Sequence, residues 1–143
     1  MIPLQVVLDT NVIVSGLRSN QGASYRLLEL VGRSPKFEIN LSVALVLEYE
    51  EILRKQARQL GLSVADVSAV IDYFCSVGNQ RQINFLWRPL LPDPDDDLLL
   101  EIAVESSADC IVTFNVRDFR GTNQFGIDAV TPRVFLQKIE ELS

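Results

Sequence analysis

The chain contains no histidine, and that single absence removes a large share of enzyme chemistry. Imidazole acid and base catalysis, a Ser-His-Asp triad, and zinc or iron held by histidine all require a residue this protein does not have. Cysteine is scarce as well. Cys75 and Cys110 are too few for a thiolate zinc site, and both fall in apolar segments where a buried free thiol is expected. No apolar run approaches the roughly 20 residues of a membrane span. A basic stripe is also missing: Arg54, Lys55 and Arg58 form the densest cationic group, at a spacing that suits a solvated helix face. The first residues enter a strand-like run without the basic stretch and longer apolar core of a secretory signal. Together with the sparse cysteines, this predicts a cytoplasmic protein.

The 143 residues, 48% of them apolar, are enough for one globular domain over 1–143, and no repeat, low-complexity tract or linker divides them. A net charge of −6 predicts weak intrinsic affinity for nucleic acid, because polyanion binding rests on Lys and Arg releasing counterions from phosphate. The acids are unevenly placed, however, and a bound cation would cancel those that cluster.

Strand and helix patterns alternate along the chain. Residues 5–8 read as a buried strand, since a short apolar run ending in a break suits a parallel sheet. Leu27, Leu28 and Val31 recur at helical spacing within 24–32, with Gly32 as the stop. Residues 37–41 form a second strand. Ser42 then caps a helix carrying Leu45, Val46, Tyr49, Ile52 and Leu53, which places Glu48 in its second turn. Ser63 and Asp66 have capping-box spacing and open a helix that Gly78 and Asn79 end. A strand is expected at 82–85, a loop through the two prolines and the aspartates of 92–97, and a helix over 98–107. Strands follow at 110–112 and 127–130. Thr131 and Pro132 are an N-cap and a proline at the first helical position, opening a helix over 133–142.

Five acidic or amide residues stand where these elements end or begin: Asp9, Glu48, Asp96, Asn115 and Asp118. Taken singly each has an ordinary explanation. Asp9 can cap a following helix through Thr10 and Asn11, and Asp96 is favoured at a helix N-terminus by exposed N–H groups. As a set they point to one place, because ligands of an open parallel sheet bind beyond the carboxyl ends of its strands. Clustered carboxylates are costly without a cation, so the expectation is a hard divalent metal on oxygen ligands.

These residues also resemble a known family. Asp9-Thr10-Asn11 after the first strand, Ser42 with Glu48, Asp96 before an apolar helix, and the run from Ile111 to Phe119 look like a PIN-domain ribonuclease. The closing Thr131-Pro132-Arg133-Val134-Phe135-Leu136 is similar to the end of PIN proteins that act as toxins in toxin–antitoxin pairs. The resemblance spans essentially the whole chain. It implies a three-layer α/β/α fold with a central parallel sheet of four to five strands, and Mg²⁺ or Mn²⁺ at the strand ends. It also assigns metal binding to Asp9, Glu48 and Asp96, with the fourth position on Asn115 or Asp118. Many members carry aspartate where Asn115 stands, which leaves one formal charge fewer here. Thr10, Asn11, Ser42 and Thr113 would orient carboxylates or water through hydrogen bonds.

The implied activity is hydrolysis of RNA phosphodiester bonds by metal-activated water, leaving a 5′-phosphate. A chain without histidine fits this route, which needs no side-chain base. Arg117 and Arg120 flank the fourth acidic region, as RNA contacts or as solvated loop charges. The resemblance further implies a cognate antitoxin protein as partner, laying a segment into the acidic cleft. A homodimer through the helices around 25–31 or 63–74 is a further possibility, since their apolar content exceeds one stripe. A phosphoacceptor receiver fits poorly, because it expects adjacent acids after its first strand and a lysine after its last. Two alternatives remain: a structure-specific DNA nuclease, and a weakly active or non-catalytic interaction domain.

Overall fold

The computed structural model describes residues 2–83 and 94–141, with backbone alone at 94 and 95. Its centre is β1 (Leu4–Leu8), whose Val6, Val7 and Leu8 are almost completely buried. Covering on both faces is why this strand is a continuous apolar run and not an alternating one. β1 pairs in parallel with β2 (Phe37–Leu41) on one side and with β4 (Cys110–Val112) on the other. The two-residue β3 (Asn79–Gln80) and β5 (Asp128–Val130) form the edges, giving five parallel strands in the order β3-β2-β1-β4-β5. The chain therefore winds outward from β1 first one way and then the other. The gap between β1 and β4 is the topological switch point.

Among the described residues six α-helices flank the sheet in a three-layer α/β/α arrangement: α1 (Thr10–Arg18), α2 (Ala23–Leu30), α3 (Val43–Leu60), α4 (Val64–Val77), α5 (Pro94–Glu105) and α6 (Pro132–Lys138). α1 packs on α2, α3 on α4 and α2 on α6, while α5 lies against β1, β2 and β4. None of them is long and apolar enough to cross a membrane. Local rules account for most of the boundaries. Ser42 Oγ accepts from Leu45 N at 3.2 Å, the Ser63 and Asp66 capping box is complete, and Thr131 Oγ1 accepts from Val134 N with Pro132 at the first position. α1 contains a glycine for a steric reason. A Cβ on Gly16 would lie 2.9 Å from Leu28 Cγ and 3.0 Å from the Ser24 carbonyl oxygen, so only glycine lets α1 and α2 approach this closely.

Four sequence expectations need correction. Residues 94–97 are helical, not loop: Pro94 opens α5, a position where its missing N–H and fixed φ cost little. Residues 92 and 93 lie outside the described residues. The edge strand is Asn79–Gln80, directly after α4, and Gln82 and Ile83 belong to no strand; the rest of the expected 82–85 strand lies outside the described residues. Cys75 is exposed on α4, whereas Cys110 is buried as expected. α6 stops at Lys138 instead of reaching 142. In addition, α1 is a full nine-residue helix where the sequence had suggested only a capping option. Much of the extra apolar content of the helices around 25–31 and 63–74 belongs to the core, through Leu27, Val31, Val67, Ile71 and Phe74.

Candidate metal centre and cleft

The carboxyl ends of β1 and β4 deliver adjacent side chains into one cleft. Asp9 follows β1 directly, with its backbone N–H donating to the Val112 carbonyl of β4 at 2.9 Å. Its side chain makes no cap bond to α1, so the capping explanation of Asp9 does not hold. The carboxylate instead accepts from Thr113 Oγ1, just beyond β4, at 2.7 Å. Thr113 in turn accepts from the Asn115 N–H at 3.0 Å, so a chain of donors runs from the turn after β4 into Asp9. Phe114 N–H reaches Asn11 Oδ1 at 3.4 Å, a second and weaker tie between the two strand ends.

Glu48 enters from α3, whose start is fixed by the Ser42 cap. Thr10 Oγ1 donates to Glu48 Oε2 at 3.3 Å. From the next residue of the same helix the buried Tyr49 phenol donates to the Leu8 carbonyl, pinning α3 to the end of β1. Burial pushes the Tyr49 phenol well above its ordinary pKa, and the negative charges of Asp9 and Glu48 push it the same way. That both acids act on one hydroxyl locates them around a common point. Asp96 comes from the first turn of α5 and is 93% buried (7% exposed).

Asp9, Glu48, Asp96 and Asn115 line a single cleft of about 530 Å³, together with Thr10, Asn11, Val14, Ser15, Arg18, Ile52, Gln56 and Phe114. The remaining candidates lie elsewhere. Asp118 and Arg117 are exposed in the 3-10 turn Val116–Phe119, and Arg120 follows it along a separate depression with Phe119 and Ile127. Ser42 acts on the helix start and not on a carboxylate. Sequence reading missed Arg18, Gln56, Ile52 and Val14. The usable signal was the four-residue spacing Glu48, Ile52, Gln56 on a helix already recognised.

The donor set is suited to a hard cation. Every candidate ligand is oxygen, with no imidazole or thiolate, as magnesium and manganese sites prefer. Among the described residues no three acidic side chains are gathered tightly enough to enclose an ion by themselves.

A family model described as the PIN domain matches residues 5–117. No curated protein matches the chain. Among solved structures, one chain in the crystal structure of VapBC2 from Rickettsia felis, bound to a DNA fragment from their promoter, has a similar fold. It is 17% identical, the match covers 88% of this chain and 98% of that one, and the TM-score is 0.60.

Proposed function

The chain belongs to the PIN-domain family, and on that premise we propose that it is a Mg²⁺- or Mn²⁺-dependent endoribonuclease and the toxin of a type II toxin–antitoxin pair. The observation that carries this reading is the convergence of Asp9, Glu48 and Asp96, from three separate elements, on one cleft at the switch point of the sheet. Asp9, Glu48 and Asp96 would hold the ion, in part through its bound waters, with the Asn115 amide oxygen as a fourth donor lining the same cleft. Bound there, the ion supplies a water of lowered pKa and offsets charge on the scissile phosphate. The protein's own part is orientation. Thr113 and Thr10 fix the Asp9 and Glu48 carboxylates, while the buried wall around Asp96 limits bulk water and strengthens local electrostatics. No side-chain base is needed, in keeping with a histidine-free chain.

The likeness in fold to a chain of VapBC2 supports an antitoxin partner for this protein as well. A DNA nuclease of the structure-specific kind is less well supported, since the fold carries no additional helical arch with which to grip a branched duplex among its described residues. A weakly active interaction domain is favoured by one observation, the neutral Asn115 on the cleft wall.

Cleavage of single-stranded RNA and DNA in Mn²⁺, by the wild type beside Asp9→Asn and Asp96→Asn, tests the proposal. RNA cleavage that both substitutions abolish is the expected result. Cleavage indifferent to both would remove the metal mechanism, and equal cleavage of DNA would remove the RNA assignment. A wild type inert in Mn²⁺ would leave the interaction-domain reading.

A further inference from the structure

The groove leaving the carboxylates has two regular walls. On α1, Asn11, Val14 and Arg18 follow at intervals of three and four, and on α3, Glu48, Ile52 and Gln56 follow at intervals of four. Each set therefore forms one stripe of its helix. Two rungs join the helices: Thr10 Oγ1 to Glu48 Oε2 near the strand ends, and Arg18 Nη2 to Gln56 Oε1 at 3.5 Å at the far end. The eight residue-to-residue steps from Glu48 to Gln56 span roughly 12 Å along the helix axis. Between the rungs, Val14 and Ile52 give an apolar floor. The groove is thus acidic at one end, apolar in the middle and cationic at the other.

Resting on the nuclease reading above, we infer that Arg18, steadied by Gln56, binds a phosphate neighbouring the one being cut and so sets how single-stranded RNA lies in the groove. The Arg18 side chain lines the same cleft as the carboxylates, with its guanidinium held at the Gln56 end. Its planar guanidinium carries five N–H donors in a fork that matches phosphate, and one of them engages Gln56. Among the described residues Arg18 is the cationic side chain on these walls, in a protein of net charge −6. A lone cation opposite a bound metal would orient a polyanion where overall charge would repel it. The cleft volume, about 530 Å³, is that of a small-ligand site, which suits a short single strand and not a duplex. An arginine in the last turn also complements the helix dipole. Lysine would serve that role equally well and the phosphate role less well, so the two are separable.

The test measures binding of a short labelled single-stranded oligoribonucleotide across a salt series, on an Asp96→Asn background in the full chain so that the RNA stays intact. Arg18→Ala is expected to weaken binding roughly ten- to a hundredfold and to reduce the slope of log K against log salt by about 0.7. Arg18→Lys should fall between Arg18→Ala and the parent, with the thermal stability of the parent. In protein with Asp96 intact, the loss should fall on KM. An unaltered Kd and salt slope in Arg18→Ala would overturn the inference, as would loss of binding to a protein partner with RNA binding intact. The two readings fail separately. Wild-type cleavage of RNA with an indifferent Arg18→Ala removes only the Arg18 assignment. A wild type that binds RNA through Arg18 but does not cut it removes only the nuclease reading.

Discussion

Thr113, one residue beyond β4, donates its hydroxyl to the carboxylate of Asp9, one residue beyond β1, at 2.7 Å across the switch point of the sheet. The bond aims the acid that the metal proposal needs most, fixing the direction in which the Asp9 carboxylate faces the cleft. Thr113→Val removes the donor and keeps the shape. Outer partners of metal ligands are typically worth 10- to 100-fold in metal affinity. The Mn²⁺ concentration for half-maximal cleavage should therefore rise by roughly that factor, with Thr113→Ser close to wild type. A purely structural role would shift the melting temperature in both variants and leave the Mn²⁺ dependence alone.

On the proposed metal reading, a pair of substitutions distinguishes Asn115 from Asp118 as the fourth donor. Asn115 lines the cleft, and Asp118 is exposed outside it. Asn115→Asp adds a charge to an oxygen site, where charge count tunes affinity, and should tighten Mn²⁺ binding in isothermal titration. Asp118→Asn should change it by less than twofold, within the roughly ±0.5 kcal/mol of an ordinary surface substitution. If Asp118→Asn abolishes binding and Asn115→Asp does nothing, the fourth position belongs to Asp118.

Alkaline pH should reveal two buried acids. Cys110 is completely buried, and burial raises its thiol to about 11 from the usual 9.0. Both states keep the proton below pH 9. Above it the unfolded thiol ionises first, so stability should fall between pH 9 and about 11, by about 2–3 kcal/mol. Tyr49, raised well above 10, continues the decline from pH 10 upward. Urea denaturation at half-unit steps should show the first part flatten in Cys110→Val and the second in Tyr49→Phe. A wild type whose stability is level to pH 11 would contradict both assignments.

Gly16→Ala tests the approach of α1 to α2. Helix propensity alone would favour alanine by up to about 1 kcal/mol. The added methyl meets Leu28 and the Ser24 carbonyl, however, and overpacking costs about 1–3 kcal/mol. Net destabilisation in chemical denaturation is expected, and a gain in stability would mean that α2 yields easily.

Much of this was legible in the residues themselves because it depends on neighbours in sequence. The strands at 37–41 and 110–112, the Ser42, Ser63 and Thr131 caps and the proline at 132 are set by local periodicity and local hydrogen bonds. Short-range signals failed where two of them compete. Pro94 and the aspartates after it read equally as a turn or as a helix start, and the burial of α5 against three strands decides for helix. Cys75 failed for a related reason: an apolar segment does not say which of its side chains faces outward.

The sequence by itself narrowed the chemistry, since the absence of histidine and the acids and amides at element ends leave oxygen as the donor available to the proposed ion. Which of those residues share a cleft was decided only by tertiary structure. Asp9, Glu48 and Asp96 share that cleft because β1 and β4 are neighbours, α5 packs against both, and α3 packs on α1 and α5 with Tyr49 tied to the end of β1. Asp118, three residues after Asn115, turns away from that cleft, and Arg18, unremarkable in the sequence, turns toward it. Helical and strand periods assign a face to each residue within its own element, but only packing between elements assigns those faces to one another.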